Sequence, residues 1–449
     1  MANISLSDLS ELAKEQYTSE KVQNLVNHTA VTYGLLKKDK TSVKRVGGRG
    51  LVAYEAFQAT SGAGSYWGTE TGALPAASSL IHERLEISAN KRMSATISIT
   101  QTALQVGGQD ALVDALAHIR KDIVDGIVPH INRALYAGRT GQLAKVAAAV
   151  SASATVTVDS TRLLARGMRI VTSSSNTALA QTADQDISQG VTSTTDDAYV
   201  VGTKDSATQF TLYNNAMTAS QTDTVSVDRN IYKAGDIDAS GNNTMASFKS
   251  LLDNYSLRAT SSWDADASST QTIQGVDKTT IAGGFLEVEV AHNSNVKKAF
   301  LEKDLEKLID EIEVKKIGAT KVLITTAAIK REIAAQFKEL LSVGGNSYID
   351  LPFGHKALAY QYQGRVIPVV TDMMAIPNTI LALDTDHIKF YVGKDFGWDE
   401  DPSGGNLFQR VLNSSARPTP VYEAFYTVFL NLGCNRFDVQ GIMRDISEA

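Results

Sequence analysis

The side chains able to do chemistry are few, and their spacing works against them. His82-Glu83-Arg84-Leu85-Glu86 starts like the zinc-protease motif, in which two histidines one helical turn apart hold the metal. Glu86 stands where the second histidine belongs, and the neighbours alternate in a β pattern, so a charged ribbon edge is the better reading. Asp236, Asp238, Ser240 and Gly241 imitate the opening of a calcium loop, but its twelfth position is Ser247 and not the bidentate glutamate such a loop needs. That segment reads as a polar turn. Gly47-Gly48-x-Gly50 and Gly62-x-Gly64 lack the lysine and hydroxyl of a phosphate loop, and no G-x-S-x-G nucleophile elbow occurs. Cys434 lies in a strand-like run and reads as a small core residue, not a nucleophile. The histidines, His28, His82, His118, His130, His292, His355 and His387, are scattered singly. No catalytic, cofactor-binding or metal-binding residue is therefore assigned, and the expectation is a chain without enzymatic activity or cofactor.

Composition narrows the classes further. The 449 residues carry a formal charge of −6, are 43% hydrophobic, and include one cysteine, which cannot form a bridge within the chain. A net negative chain is a poor candidate for binding nucleic acid through its overall charge. The apolar content is enough to build a core, which argues against wholesale disorder. No apolar run approaches the ~20 residues of a membrane span, and the N-terminus lacks the basic start and apolar centre of a secretory signal, so folding in a reducing cytosol is expected. Arg45, Arg49, Arg84 and Arg92 make one stretch locally basic, and acidic groups of a neighbouring subunit are their expected partners.

The elements that must position these residues follow in order. Residues 1–40 form a polar arm in which Ser7 or Asp8 could cap a short helix carrying Leu9, Leu12 and Ala13; its apolar residues need something else to dock on. Residues 41–100 read as an extended β-ribbon. Its tip, Thr60–Ser79, is rich in small residues, and the return leg alternates through Leu85, Ile87, Ile97 and Ile99. A tip of that length is unusual inside a compact domain and implies support from another chain. Leu112, Leu116, Ile119, Ile123, Ile127, Ile131 and Leu135 predict a helix over 109–137, a rod about 42 Å long, stopped by Gly138, with Pro129 placed to bend it after Gly126.

Of the 100 residues from 141 to 240, 27 are Ser or Thr, and short β-like runs recur at Thr155–Val158, Met168–Val171, Tyr199–Gly202, Gln209–Tyr213 and Thr224–Val227. They predict a small all-β domain inserted after the long helix. Strand and helix then alternate. Phe285–Val290 reads as a strand, and Val296 through Ile312 as an amphipathic helix ending near Gly318. Lys321–Ile324 reads as a buried strand, and a helix capped by Thr325 or Thr326 carries Ile329, Ile333, Phe337 and Leu340. The last third is strand-rich, with Val366–Val370, Thr379–Leu383, His387–Val392 and a long final strand whose apolar face is Tyr422, Ala424, Tyr426, Val428, Leu430 and Leu432.

This order of elements resembles the major capsid proteins of tailed double-stranded DNA bacteriophages, the HK97-type fold, over almost the whole chain. The end of the long helix, Asn132-Arg-Ala-Leu-Tyr-Ala-Gly138, is similar to the end of that family's spine helix. Tyr362–Val370, Pro377–Asp384 and Val421–Gly433 are similar to its return between domains and its last strand. The resemblance implies an α+β fold divided into an N-terminal arm (1–40), an extended loop (41–100), a peripheral domain with spine helix (101–140), the inserted β-rich domain (141–240), an axial domain (241–385) and a peripheral domain with the terminal strands (386–449). It further implies a homo-oligomer of hexamers and pentamers that assembles in the host cytoplasm and encloses packaged double-stranded DNA without sequence-specific binding, away from any membrane.

Three departures refine that expectation. Only about 40 residues precede the extended loop, so a separate scaffolding protein is expected beside a portal, with a decoration protein left open. Residues 46–90 contain no lysine, so covalent crosslinking through this loop is not expected. The inserted β-rich segment is an addition to the minimal fold. The alternatives are an encapsulin-like shell enclosing a cargo enzyme, against which the insertion counts, and a surface adhesin or fibre module, which would need repeats and a secretion signal.

Overall fold

The computed structural model describes residues 30–58, 82–101, 126–138, 141–173, 199–213, 220, 223–225, 229–238, 241–242, 244–252, 272–277, 286–315, 318–341, 348–351, 356–399, 409–412 and 418–448. The helix expected near Ser7, the ribbon tip, the helical residues from Leu112 to Ile123, and His28, His118 and His355 lie outside them.

The chain enters through a short helix α1 (Val31–Leu35) and strand β1 (Lys37–Asp39), then climbs through β2 (Val43–Val46), β3 (Gly50–Gln58), β4 (His82–Ser88) and β5 (Arg92–Thr100). β2, β3 and β4 form an antiparallel sheet of their own, the base of the expected ribbon. The β2–β3 turn holds Gly48 and Gly50 at φ +76° and +81°, a backbone region that glycine enters without steric cost. The Asn90 side chain fixes the return: its Oδ1 accepts from Leu51 N at 2.6 Å and its Nδ2 donates to Arg49 O at 2.7 Å.

Helix α2 occupies 126–136, and Ile127, Ile131 and Leu135, one turn apart, are buried. It runs unbroken through Pro129, and Gly138 N donates to Gln142 O at 2.6 Å where it stops. Ten short strands follow: β6 (Ala144–Lys145), β7 (Val150–Ser153), β8 (Thr155–Thr157), β9 (Arg169–Ser173), β10 (Tyr199–Lys204), β11 (Gln209–Tyr213), β12 (Asp223–Val225), β13 (Asn230–Lys233), β14 (Ile237–Asp238) and β15 (Gly241–Asn242). Six of them form one antiparallel sheet in the order β6-β13-β9-β10-β11-β8. Its core is local, with Val146, Val156, Val158, Ile170, Val201, Phe210, Leu212 and Ile231 packed together.

Helix α3 (Phe248–Leu251) is capped by Ser247, whose Oγ accepts from Ser250 N. A tight hairpin, β16 (Thr272–Ile273) and β17 (Val276–Asp277), turns at Gln274-Gly275, both with positive φ. Edge strand β18 (Glu289–Ala291) precedes α4 (Glu302–Asp310), which continues as a π-helical turn to Lys315. The helix expected from Val296 thus begins six residues later. The intervening backbone is already engaged: Lys298 N donates to Asp445 O at 2.9 Å and Ser447 N to Lys298 O at 2.7 Å, while Ser294 and Asn295 take positive φ. The strand expected from Phe285 is likewise confined to Glu289–Ala291, because its partner offers only Gly441–Met443.

β19 (Val322–Thr325) is buried throughout and leads into α5 (Ala327–Leu341), with Thr326 Oγ1 accepting from Ile329 N at 3.4 Å. β20 (Tyr348–Asp350), β21 (Lys356–Tyr362), β22 (Arg365–Thr371) and β23 (Ile380–Leu383) follow. The last strands are β24 (Ile388–Asp399), β25 (Gln409–Leu412), β26 (Pro418–Cys434) and β27 (Gly441–Met443). A mixed seven-stranded sheet runs β18-β27-β23-β19-β22-β21-β20. Strand β27 therefore returns to the sheet built by residues 289–383, pairing with β23 on one side and β18 on the other, with Ile442 and Met443 buried.

The second large sheet is centred on β26. Residues 425–434 pair with β24 and 418–423 with β25, while 421–429 pair with β5. Because residues 422–423 are paired with both β25 and β5, and residues 425–429 with both β24 and β5, β24 and β25 share one flank and β5 holds the other. β1 pairs in parallel with β24 beyond. Ala424, Tyr426, Val428, Leu430, Leu432 and Cys434 alternate inward and are buried, the face expected from the sequence.

Candidate functional site

Among the described residues no group of three or more His, Cys, Asp and Glu could hold a metal ion. His82 opens strand β4, so the zinc-protease reading has no helix to stand on. Asp236 and Asp238 belong to the approach and first strand of the β14–β15 hairpin, and Ser247 caps α3. Cys434 is fully buried, its Sγ lies 3.1 Å from Arg436 O, and burial pushes its thiol far above the usual range, which keeps it un-ionised. His387 Nδ1 lies 2.9 Å from Asn435 Oδ1 and is part of the β24–β26 junction.

The polar side chains converge at the joints between elements. The deepest joint is Asp372, at the end of β22 and almost fully buried. Thr32 on α1 donates to its Oδ2 at 2.7 Å, and Asn132 on α2 reaches both carboxylate oxygens at 3.0 and 2.9 Å. Met374 N donates to Oδ1 at 2.8 Å, and Thr32 Oγ1 also lies 2.6 Å from the Tyr136 hydroxyl. One carboxylate thus ties together the arm, the long helix and the seven-stranded sheet. Burial, then the Asp372 charge, pushes the Tyr136 hydroxyl far above its ordinary value, so it stays a donor.

A second joint fastens the ribbon base. Lys389 on β24 donates to Asp39 at 2.8 Å and lies 3.5 Å from Glu55 on β3, while the Tyr391 hydroxyl donates to Glu55 at 3.0 Å. Burial alone would raise the Asp39 carboxyl. Hydrogen bonds from Lys389 and from the Ser42 N–H and hydroxyl outweigh it and hold that carboxyl well below its ordinary value. The faces close over Ala53, Ile87, Ala89 and Tyr391, and Asn431 Nδ2 donates to Ser88 O at 2.7 Å. The Gln274 turn forms a third joint: its carbonyl accepts from Glu86 N at 2.7 Å, and its side-chain amide, suitably turned, exchanges two hydrogen bonds with the Cys434 backbone at 2.7 and 2.9 Å.

The six-stranded sheet is held at its own joint. Arg162 Nη1 donates to Ala375 O at 2.9 Å, and His130 on α2 sits between Lys233 Nζ, 2.9 Å from Nδ1, and Asp236, 3.1 Å from Nε2. The basic stretch differs from its expectation. Arg49 pairs with Glu86, Arg92 with Asp399 at 3.4 Å, and Arg84 lies over the Tyr54 ring at 4.1 Å. These three arginines find partners within the chain: Arg49 reaches from the β2–β3 turn to β4, Arg84 lies over a ring of the neighbouring β3, and Arg92 reaches across β26 to the end of β24. None of the joints was legible from local spacing; they unite residues far apart in sequence.

No protein-family model and no curated protein matches the chain. Among solved structures, a chain of the cyanophage A-1(L) capsid asymmetric unit superposes with a TM-score of 0.50 at 13% identity, covering 93% of this chain and 93% of that one. The capsid chain of a native GTA particle gives 0.41 at 10% identity over 93% and 91%, and the SrpI encapsulin of Synechococcus elongatus PCC 7942 gives 0.24 at 10% over 36% and 54%. Both latter superpositions are too loose to argue from. The first extends over nearly the full length of both chains: the chain has the fold of a phage capsid chain, the HK97-type α+β fold.

Proposed function

We infer that the chain is the structural subunit of a virion shell, assembling in the host cytoplasm into hexamers and pentamers around packaged double-stranded DNA. The observation that carries this reading is the ribbon. Its base is fastened at Lys389, Asn431 and Gln274, and β5 is built into the central sheet, so β3 and β4 are rooted in the body and lead into the stretch 59–81. A two-stranded ribbon has little stability alone and gains it by lying on another surface. In a closed shell that surface belongs to the next subunit, and stability becomes coupled to assembly.

The subunit works without catalysis or cofactor, through non-covalent contacts, with a separate scaffolding protein, a portal and room for a decoration protein as partners. The six-stranded sheet with its local core is the inserted domain, added to an arm, ribbon, peripheral and axial plan; the axial part also takes in β27. The mild negative charge suits a wall that must not hold its DNA tightly.

Negative-stain microscopy of the purified chain, with and without the scaffold, tests the reading. Shells are expected, and replacing residues 59–81 by a short glycine-serine turn abolishes them. A chain that stays monomeric with scaffold present, or particles that survive the ribbon deletion, would overturn it.

A further inference from the structure

A cleft of about 300 Å³ opens where α2, the β13–β14 turn and the start of β5 meet, at the small end of the range for ligand pockets. Its floor is apolar, with Ile131, Met245 and Leu430, and its rim carries Lys91, Arg92 and Lys233. Asp236 is the one carboxylate among the described lining residues, and His130 engages it; Asp399 reaches Arg92 from outside. Behind the rim, buried Arg133 follows one turn after His130 on α2; burial lowers the pKa of the rim residue Lys233, with Asp236 opposing that shift and Arg133 adding to it. An apolar floor under a cationic rim is complementary to an apolar side chain flanked by carboxylates.

The chain contains such a segment. Asp8-Leu9-Ser10-Glu11-Leu12-Ala13-Lys14-Glu15 places two leucines between three acids, and it lies in the stretch before Ala30 where the described structure begins. That beginning is close to the cleft: Thr32 is bonded to Tyr136, which lies six residues, about 9 Å of helix, beyond His130. The residues from Glu15 to Ala30 can span up to about 50 Å when extended, so the segment reaches the cleft of its own copy or of a neighbour.

We propose that residues 8–15 dock in this cleft, with Leu9 and Leu12 on its floor and Asp8, Glu11 and Glu15 against its lysines and arginine. The proposal does not rest on the shell reading, since the docking can be read on the chain whatever its assembly state.

The test is carbodiimide coupling of the full-length chain, which joins a carboxylate to an amine only when the two touch, followed by mass spectrometry. Links from Asp8, Glu11 or Glu15 to Lys91 or Lys233 are expected. The double substitution Leu9→Ser, Leu12→Ser keeps every reacting group and removes the apolar anchors, and it should lower the yield of those links by about tenfold or more. An equal mixture of light and heavy-isotope-labelled chain tells own-copy links from neighbour links, and either supports the docking. Links spread over other lysines, an acid of a different protein coupled to Lys233 instead, or an unchanged yield in the serine variant would each overturn it. Own-copy links in a monomeric chain would uphold the docking while removing the shell reading.

Discussion

Replacing Asp372 by asparagine keeps the shape of the side chain and removes its charge. Both carboxylate oxygens are in use: Oδ1 accepts from Met374 N and Asn132, Oδ2 from Thr32 and Asn132. An amide must place its NH₂ at one of them. At Oδ1 it would face the Met374 N–H, which cannot turn away, so it goes to Oδ2, where the Thr32 hydroxyl can rotate to accept and Asn132 keeps only its bond to Oδ1. Hydrogen bonds to a charged group contribute about 1.5–3 kcal/mol and neutral ones about 0.5–1.5. Downgrading those that survive and losing one gives a cost of about 2–3 kcal/mol. The α1 helix is five residues long and hangs on this joint, so the cost should appear as local opening. Hydrogen exchange of the peptide covering 30–36 should quicken by about 30–150-fold, and Thr32→Val combined with Asp372→Asn should be clearly less than additive. Unchanged exchange in Asp372→Asn, or strict additivity, would refute the assignment of the carboxylate as the tie between arm, helix and sheet.

Gly433→Ala would place a Cβ 2.7 Å from the Tyr391 ring and 2.9 Å from Ile87 Cδ1, so the ribbon base must lift, at about 1–3 kcal/mol, seen as a lower unfolding midpoint. Phe210→Ala empties a fully buried site in the six-stranded sheet and should cost about 3–5 kcal/mol; protection from exchange is lost across 144–233 while β24 and β26 keep theirs. Asp39 is held below its ordinary value of 3.8 in the folded chain. Its contribution is therefore complete above about pH 4 and is lost as pH falls below it. Asp39→Asn should weaken the chain at neutral pH and flatten the acid side of its stability curve, measured by denaturant unfolding at a series of pH values.

The strands were legible where a face alternates. The run from Tyr422 to Leu432 gave both faces of β26, and Gln209–Tyr213 gave β11 to the residue. Boundaries failed where a distant segment claims the backbone first, as the C-terminal residues do at Lys298, and where an edge strand is only as long as its partner, as at Glu289–Ala291. The joints were illegible for a related reason. Thr32 and Asp372 are 340 residues apart, and Asn132 and Asp372 are 240 apart, so no local pattern connects them. Two signals were present. Asp372 is a lone acid directly after a buried apolar strand, a position that calls for donors, and Gln274-Gly275 between Thr272-Ile273 and Val276-Asp277 has the form of a two-residue hairpin turn. The arginines misled because charge was read without the packing of β3, β4, β5 and β24 that brings acids and a ring within their reach.

The placement of β26 at the centre of its sheet has a consequence in time. Thr100 pairs with Val421, so the ribbon's return strand leaves the ribosome more than 300 residues before its partner exists. At ordinary elongation rates that gap is roughly 15–60 s. The six-stranded sheet draws its pairs from within 144–233 and can close during the interval, whereas the sheet that roots the ribbon cannot. A chain still being translated thus cannot root its ribbon, and β26, the last long strand to be synthesised, sets the moment at which the ribbon base is complete.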